Sequence, residues 1–305
     1  MTDASSSIRI GVDFGGTKIE VIALAEGGRE LHRQRVATPR GDYAATLRCI
    51  RDLVLAVESA LAAKCSVGVG IPGAISPATG VVKNANSTWC LGKPLDRDLS
   101  ALLCREVRTA NDANCLAISE AVDGAGANDA VVFAIILGTG VGGGISINKQ
   151  LWTGPHAIAG EWGHNPLPWR NPDECPGPPC YCGKRGCIET YLSGPALAEL
   201  YAGCTTHSAS RDARVVIEDM RAELAGAQAT WALYLDRLAR AVASVINVLD
   251  PNVVVVGGGL SNVVELYSEL PKQLGNYVFS DSCATPVRQA KHGDSSGVRG
   301  AAWLW

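Results

Sequence analysis

The chain has 305 residues, 47% of them hydrophobic and 19% charged, with a formal net charge of -3. A chain this long and this apolar can bury sizeable cores and is expected to form two lobes, which excludes a disordered protein. The near-neutral balance, with Lys and Arg scattered along the sequence, leaves no electrostatic footprint for nucleic acid or anionic lipid, so a small soluble partner is expected, with no nucleic acid and no membrane.

The polar start MTDASSS runs straight into IRIGVDF (8–14) without the basic head and apolar core of a secretory signal, so a cytoplasmic location is expected. A turn GGTK (15–18) leads to a second apolar run, IEVIALA (19–25), giving strand, tight turn, strand. Over 42–64, Leu47, Ile50, Leu53, Val54, Val57 and Leu61 recur at helical spacing. SVGVGIPG (66–73) reads as a strand ending in a Pro-Gly turn, and VRTA (107–110) as a strand before the helix ANCLAISEAV (113–122).

From residue 131 the opening pattern returns as VVFAIIL, the glycine turn GTGVGGG (138–144) and the strand ISIN, which suggests a duplicated architecture. Residues 166–180, PLPWRNPDECPGPPC, are too rich in proline for a helix or central strand and must form a loop. Beyond it the longest helical stretch is WALYLDRLARAVASVINVLD (231–250), followed by the strand VVVVGGGLSN (253–262) and a closing helix in VRGAAWLW (298–305). The apolar runs fall short of the roughly 18 residues of a membrane span.

Seven cysteines (Cys49, Cys65, Cys90, Cys104, Cys115, Cys204 and Cys283) have no regular spacing and read as small apolar residues. Cys180, Cys182 and Cys187 differ: their spacing C-x-C-x4-C, with His164 upstream across the proline-rich loop, supplies one imidazole and three thiolates, the ligand set of a structural zinc ion. A disulfide would leave one thiol over, and a redox pair would more usually be C-x-x-C. Such a metal would pin the loop and hold Glu161 and Glu189 near one place.

GTGVGG matches the dinucleotide fingerprint, but that fingerprint needs a helix directly afterwards, and ISIN reads as a strand. Glycine turns can still present backbone N–H groups to phosphate oxygens, and Asp13 beside GGTK could hold magnesium through water. In NDANC, Asn111 and Asp112 stand between a strand and a helix, where an aspartate is commonly a helix cap.

Taken together, GVDFGGTK, GIPG, NDANC, LGTGVGGG, GEWGH and CYCGKRGCIE resemble the ROK family of bacterial sugar kinases, repressors and related proteins, from residue 8 to the C-terminus and in the expected order. SPATGVVKNANSTW, EWGHNPLPW and KHGDSSGVRGAAWLW look most like the fructokinase or mannokinase branch, and no helix-turn-helix segment precedes residue 8 as in the family's repressors. The resemblance implies a two-lobed α/β fold of the actin and hexokinase (ribonuclease H-like) type. Its lobes would be a small one at 1–112, joined by the C-terminal helix at 291–305, and a larger one at 113–290 carrying the zinc-pinned loop 164–187. It also implies an ATP-dependent hexose kinase with Mg2+ accompanying ATP, transfer to the 6-hydroxyl of fructose, and a homodimer.

By the same resemblance Asp112 is the base that deprotonates the sugar hydroxyl, and Gly73, Asn86, Asn111, Asp112, Glu161, His164 and Glu189 contact the sugar. Thr17, Lys18, Thr139 and Gly140 are expected to face the phosphates and Gly258 and Gly259 to border the adenosine, with Asp13, Gly15 and Gly16 also counted in the nucleotide site. Mannose, glucose and N-acetylglucosamine stand as alternative substrates, and a sugar-sensing regulator as an alternative function.

Overall fold

A computed structural model describes residues 8–85, 87–204 and 212–305. In chain order its strands and helices are β1 (Arg9–Phe14), β2 (Lys18–Leu24), β3 (Glu30–Ala37), α1 (Tyr43–Leu61), β4 (Ser66–Ile71), β5 (Ala74–Ile75), β6 (Val82–Lys83), α2 (Leu95–Leu103), β7 (Val107–Asn111) and α3 (Asp112–Val122). They continue as β8 (Val131–Leu137), β9 (Val141–Ile147), β10 (Gln150–Leu151), α4 (Glu189–Leu192), α5 (Gly194–Cys204), α6 (Ala213–Arg221), α7 (Ala225–Leu249), β11 (Val253–Gly257), α8 (Glu265–Leu274), β12 (Val287–Gln289) and α9 (Ser296–Ala302). Two compact units result: Met1–Ala130 with Gly144–Ala159 and Lys291–Trp305, and Val131–Gly143 with Gly160–Ala290. The first unit thus extends past residue 112 to take in all of α3.

Two five-stranded sheets, ordered β3-β2-β1-β4-β7 and β10-β9-β8-β11-β12, repeat one strand order. In each, a strand opening a tight hairpin (β1 or β8) lies beside a parallel strand (β4 or β11), which in turn pairs in parallel with an edge strand (β7 or β12). This is the duplicated α/β architecture expected from the returning glycine turn. The strand β11 is a continuous apolar run buried on both faces; Val253, Val254, Val255 and Val256 are all fully buried. One sequence boundary moves: β9 begins at Val141, so Gly142, Gly143 and Gly144 lie within the strand and the turn shrinks to Gly138–Gly140.

Helix α1 starts where Asp42 accepts the Ala45 N–H at 2.9 Å, and it buries Leu47, Ile50, Leu53, Val54 and Val57 as its spacing predicts. The chain ends against the first sheet. Cβ atoms at Gly11 and Gly68 would stand 2.0 and 1.9 Å from the carbonyl oxygens of Val298 and Ala301, so α9 can reach β1 and β4 only because those strand positions are glycine. Buried Glu120 of α3 completes the joint by accepting the Lys291 N–H at 2.9 Å and the Ser296 hydroxyl at 3.0 Å. Among the described residues no helix is long and apolar enough to cross a membrane.

Candidate functional site

In open parallel sheets, ligands are held beyond the carboxyl ends of the strands. Within the first unit, β1, β4 and β7 run parallel, with Asp13 opposite Gly70 and Ile71 opposite Asn111, so the expected residues Asp13, Gly73, Asn111 and Asp112 all follow from the same sheet edge. The Gly15–Lys18 turn closes through the Gly15 N–H to the Lys18 carbonyl at 3.0 Å. Thr38 steadies it, donating its hydroxyl to the Gly15 carbonyl at 2.7 Å and its N–H to the Thr17 carbonyl at 3.0 Å. Gly16, Thr17 and Lys18 are left exposed. Gly73 has a φ of 92° and would place a Cβ 2.4 Å from the Lys83 carbonyl, so no other residue fits there. Asn86 lies outside the described residues.

At the start of α3 it is Asn111 that caps the helix, its side chain accepting the Asn114 N–H at 2.8 Å. Asp112 is therefore not the cap: it is the first helical residue, with Oδ1 accepting the Ala113 N–H at 2.8 Å and the carboxylate accessible to solvent. Desolvation by the surrounding protein still raises its pKa, against the backbone N–H groups of Ala113 and Asp112 that lower it. Burial likewise pushes Asp13 up to about 6, with repulsion from Asp112 and Glu20 adding to it and Lys18 and Arg35 opposing. Two neighbouring carboxylates, both raised above their ordinary values, form a pair suited to proton transfer.

The second unit has its own strand-end cluster. The Gly138–Gly140 turn closes through the Gly138 N–H to the Gly140 carbonyl at 3.0 Å and leaves Thr139 exposed. Gly258 follows β11 with a φ of 83°, and a Cβ there would stand 2.5 Å from the Leu137 carbonyl; one at Gly138 would lie 3.9 Å from the Gly259 nitrogen. The turn that carries Thr139 and Gly140 therefore lies beside the segment that carries Gly258 and Gly259. Glu189 opens α4, and its Oε2 accepts the Val141 N–H at 2.9 Å.

Glu161 and His164 flank a short turn that is anchored by a residue the sequence reading passed over. Trp162 donates its indole N–H to the Gly142 carbonyl at 2.8 Å and packs edge-on to Phe133. A Cβ at Gly143 would fall 2.6 Å from the Trp162 ring, which is why β9 carries glycine there. The sequence signal was the glycine run itself, too long for the turn alone.

His164, Cys180, Cys182 and Cys187 converge as their spacing predicts, with all four candidate ligand atoms within 4.8 Å of one another. His164 Nδ1 lies 3.6 Å from Cys180 Sγ, and Cys182 Sγ lies 3.6 Å from Cys187 Sγ. These separations are too long for a disulfide and close to the roughly 3.8 Å edge of a tetrahedral shell with sulfur about 2.3 Å from a central ion. The donor set fits zinc. The other ring nitrogen of His164, Nε2, meets the hydroxyl of Tyr181 at 2.9 Å, on a side chain that is 82% exposed.

A second device, absent from the sequence reading, holds the proline-rich loop. Glu174, 4% exposed, accepts hydrogen bonds from Arg240 at 2.8 and 2.9 Å and from Arg237 at 2.8 Å, both on α7, and from the Asn171 N–H at 3.0 Å. The His164, Cys180, Cys182 and Cys187 cluster is therefore not the loop's sole fastening, contrary to what the loop's poor apolar content suggested. Burial pushes the Glu174 carboxyl up, but Arg240, Arg237 and the Asn171 N–H outweigh it and hold the group at about 2 against an ordinary 4.5. A carboxyl depressed on folding stabilises fully above its unfolded value and loses that contribution as pH falls through its folded value. The thermal midpoint is expected to fall steeply from about pH 5 downward, and Glu174→Gln to flatten that limb. Equal slopes for both proteins in calorimetry across this range would refute the assignment.

Residues 9–305 match the ROK family. The chain belongs to the ROK family. This ROK protein is 42% identical over 298 residues to the N-acetyl-D-glucosamine kinase of Yersinia pseudotuberculosis serotype O:1b, covering 96% of this chain and 97% of that one. To the N-acetyl-D-glucosamine kinase of Pasteurella multocida it is 39% identical over 303 residues, covering 98% and 99%. Among solved structures, the ROK hexokinase from Thermus thermophilus superposes with a TM-score of 0.84 at 28% identity, covering 97% of each chain. A ROK family glucokinase from Streptomyces griseus, in complex with glucose and AMPPNP, gives 0.75 at 29% identity, covering 97% of this chain and 98% of that one. The two-domain α/β sugar-kinase fold expected from the sequence is therefore the fold observed.

Proposed function

We propose that this ROK protein is an ATP-dependent N-acetyl-D-glucosamine kinase. The observation that carries the proposal is the 42% identity to a kinase of that name across nearly the whole of both chains. Fructose, the substrate first expected, is not what these relatives support. They favour N-acetylglucosamine, which stood among the alternatives.

In this reading Asp112 takes the proton from the attacking sugar hydroxyl, the 6-hydroxyl by family analogy. Its Oδ1 is steadied by the Ala113 N–H, so the carboxylate is aimed before substrate arrives. By the family resemblance Gly73, Asn86, Asn111, Glu161, His164 and Glu189 contact the sugar. The turns Gly15–Lys18 and Gly138–Gly140 offer N–H groups to phosphate oxygens, and Gly258 and Gly259 border the adenosine. Asp13 is the carboxylate that would hold Mg2+ arriving with ATP, and the ion would supply neutralisation of developing phosphate charge.

Zinc held by His164, Cys180, Cys182 and Cys187 supplies positioning and no reaction step, because four protein ligands leave no open coordination site. A coupled ADP-release assay with magnesium ATP and a panel of N-acetylglucosamine, glucose, mannose and fructose tests the whole reading. The expected result is the highest kcat/KM on N-acetylglucosamine, by at least about tenfold, because a site built to bond the acetamido group leaves polar atoms unpaired when it is missing. A preference for fructose would return the assignment to the branch read from sequence, and no ADP release on any sugar would remove the kinase.

A further inference from the structure

Glu189 is placed for a task beyond gripping a sugar. It stands two residues after the cluster's Cys187, and its Oε2 accepts the N–H of Val141, the residue immediately after the Gly138–Gly140 turn, at 2.9 Å. At the far end of α4 the Gly194 N–H donates to the Gly138 carbonyl at 2.7 Å, the residue that opens the same turn. The segment from Cys187 to Gly194 therefore braces both ends of the turn. A Cβ at Gly140 would stand 2.6 Å from Oε2, so the carboxylate occupies the space that any larger residue in the turn would claim.

We infer that Glu189 is a positioning residue for the nucleotide: by accepting the Val141 N–H it holds the Gly138–Gly140 turn in the shape that receives phosphate. This rests on the kinase reading of that turn. What positions the turn is the acceptor oxygen and not the negative charge, since a charge so near the phosphates can only repel them. One oxygen of Glu189 is already engaged in this way, which leaves Oε1 as the freer one for a sugar hydroxyl. A glutamine at the position keeps an acceptor of the same reach, whereas alanine leaves the Val141 N–H without its partner.

The test uses sugar-free, full-length protein and two readouts: calorimetric titration with ADP and magnesium, and hydrogen exchange of the peptide spanning 138–142. Glu189→Ala is expected to weaken ADP binding about 5- to 10-fold and to speed exchange of the Val141 amide, and Glu189→Gln to restore both. Unchanged ADP affinity in the alanine variant, or a glutamine variant as weak as alanine, overturns the inference while leaving the kinase reading intact. Wild-type protein that binds no ADP overturns the kinase reading and the nucleotide role together, and Val141 exchange then reports only whether Glu189 holds the turn.

Discussion

Asp112→Asn is expected to lower kcat by about 10²- to 10⁴-fold while leaving sugar affinity within a few-fold of wild type. Asparagine keeps the size of the side chain and the oxygen that accepts the Ala113 N–H, so the start of α3 is preserved. Because Asn111 and not Asp112 caps the helix, the substitution removes no cap and its effect on stability should be small. Only the proton acceptor is lost. The raised pKa of Asp112 adds a pH signature: the acid limb of kcat/KM should lie above the ordinary carboxylate value of 3.8 in the wild type, and in the variant only the limb set by Asp13, pushed up to about 6, should remain. Steady-state kinetics with sugar and ATP varied separately decides it, and a variant keeping more than about a tenth of wild-type turnover would remove Asp112 from this role.

Cys182→Ser is expected to abolish zinc binding, with stoichiometry falling from about one ion per chain to near zero, and to take activity with it. Cys182 is exposed, so a serine there leaves no buried void and any lost stability reports the missing ligand. The Glu174–Arg240 pair still ties the loop to α7, so the damage should concentrate in 180–187 and in the neighbouring Glu161 and Glu189 without unfolding the second unit. Metal analysis of purified protein, thermal unfolding and sugar binding read the three consequences separately. Wild-type protein with no tightly held zinc, or a variant that keeps it, would end the metal assignment.

Some of the site was legible because its cues are local. A strand of alternating or continuous apolar residues ending in glycine marks a strand-end turn, and Asp13, Gly73, Gly140 and Gly258 sit at such ends, while Asn111 ends a strand that runs straight into a helix. The cysteine spacing also carried its own evidence, since three thiols within eight residues converge wherever glycines at 183 and 186 allow the chain to fold back. The role of Asp112 was ambiguous between cap and free carboxylate, as either residue of an Asn-Asp pair can begin a helix. The fructokinase branch was read from short flanking segments, while the identity that runs along the full chain is to N-acetyl-D-glucosamine kinases.

What the sequence by itself determined is the repeated strand, glycine turn and strand, and the convergence of His164, Cys180, Cys182 and Cys187, since periodicity, turn geometry and close spacing are all properties of near neighbours. Tertiary structure alone decided that Glu174 meets Arg240 across 66 positions, that Trp162 seats on Gly143, and that Glu189 holds the Val141 amide. A carboxylate or indole has no local signature of its distant partner: along the chain it reads as a solvated charge or a spare aromatic, and only burial, which makes an unpaired polar group costly, shows what it must be bonded to.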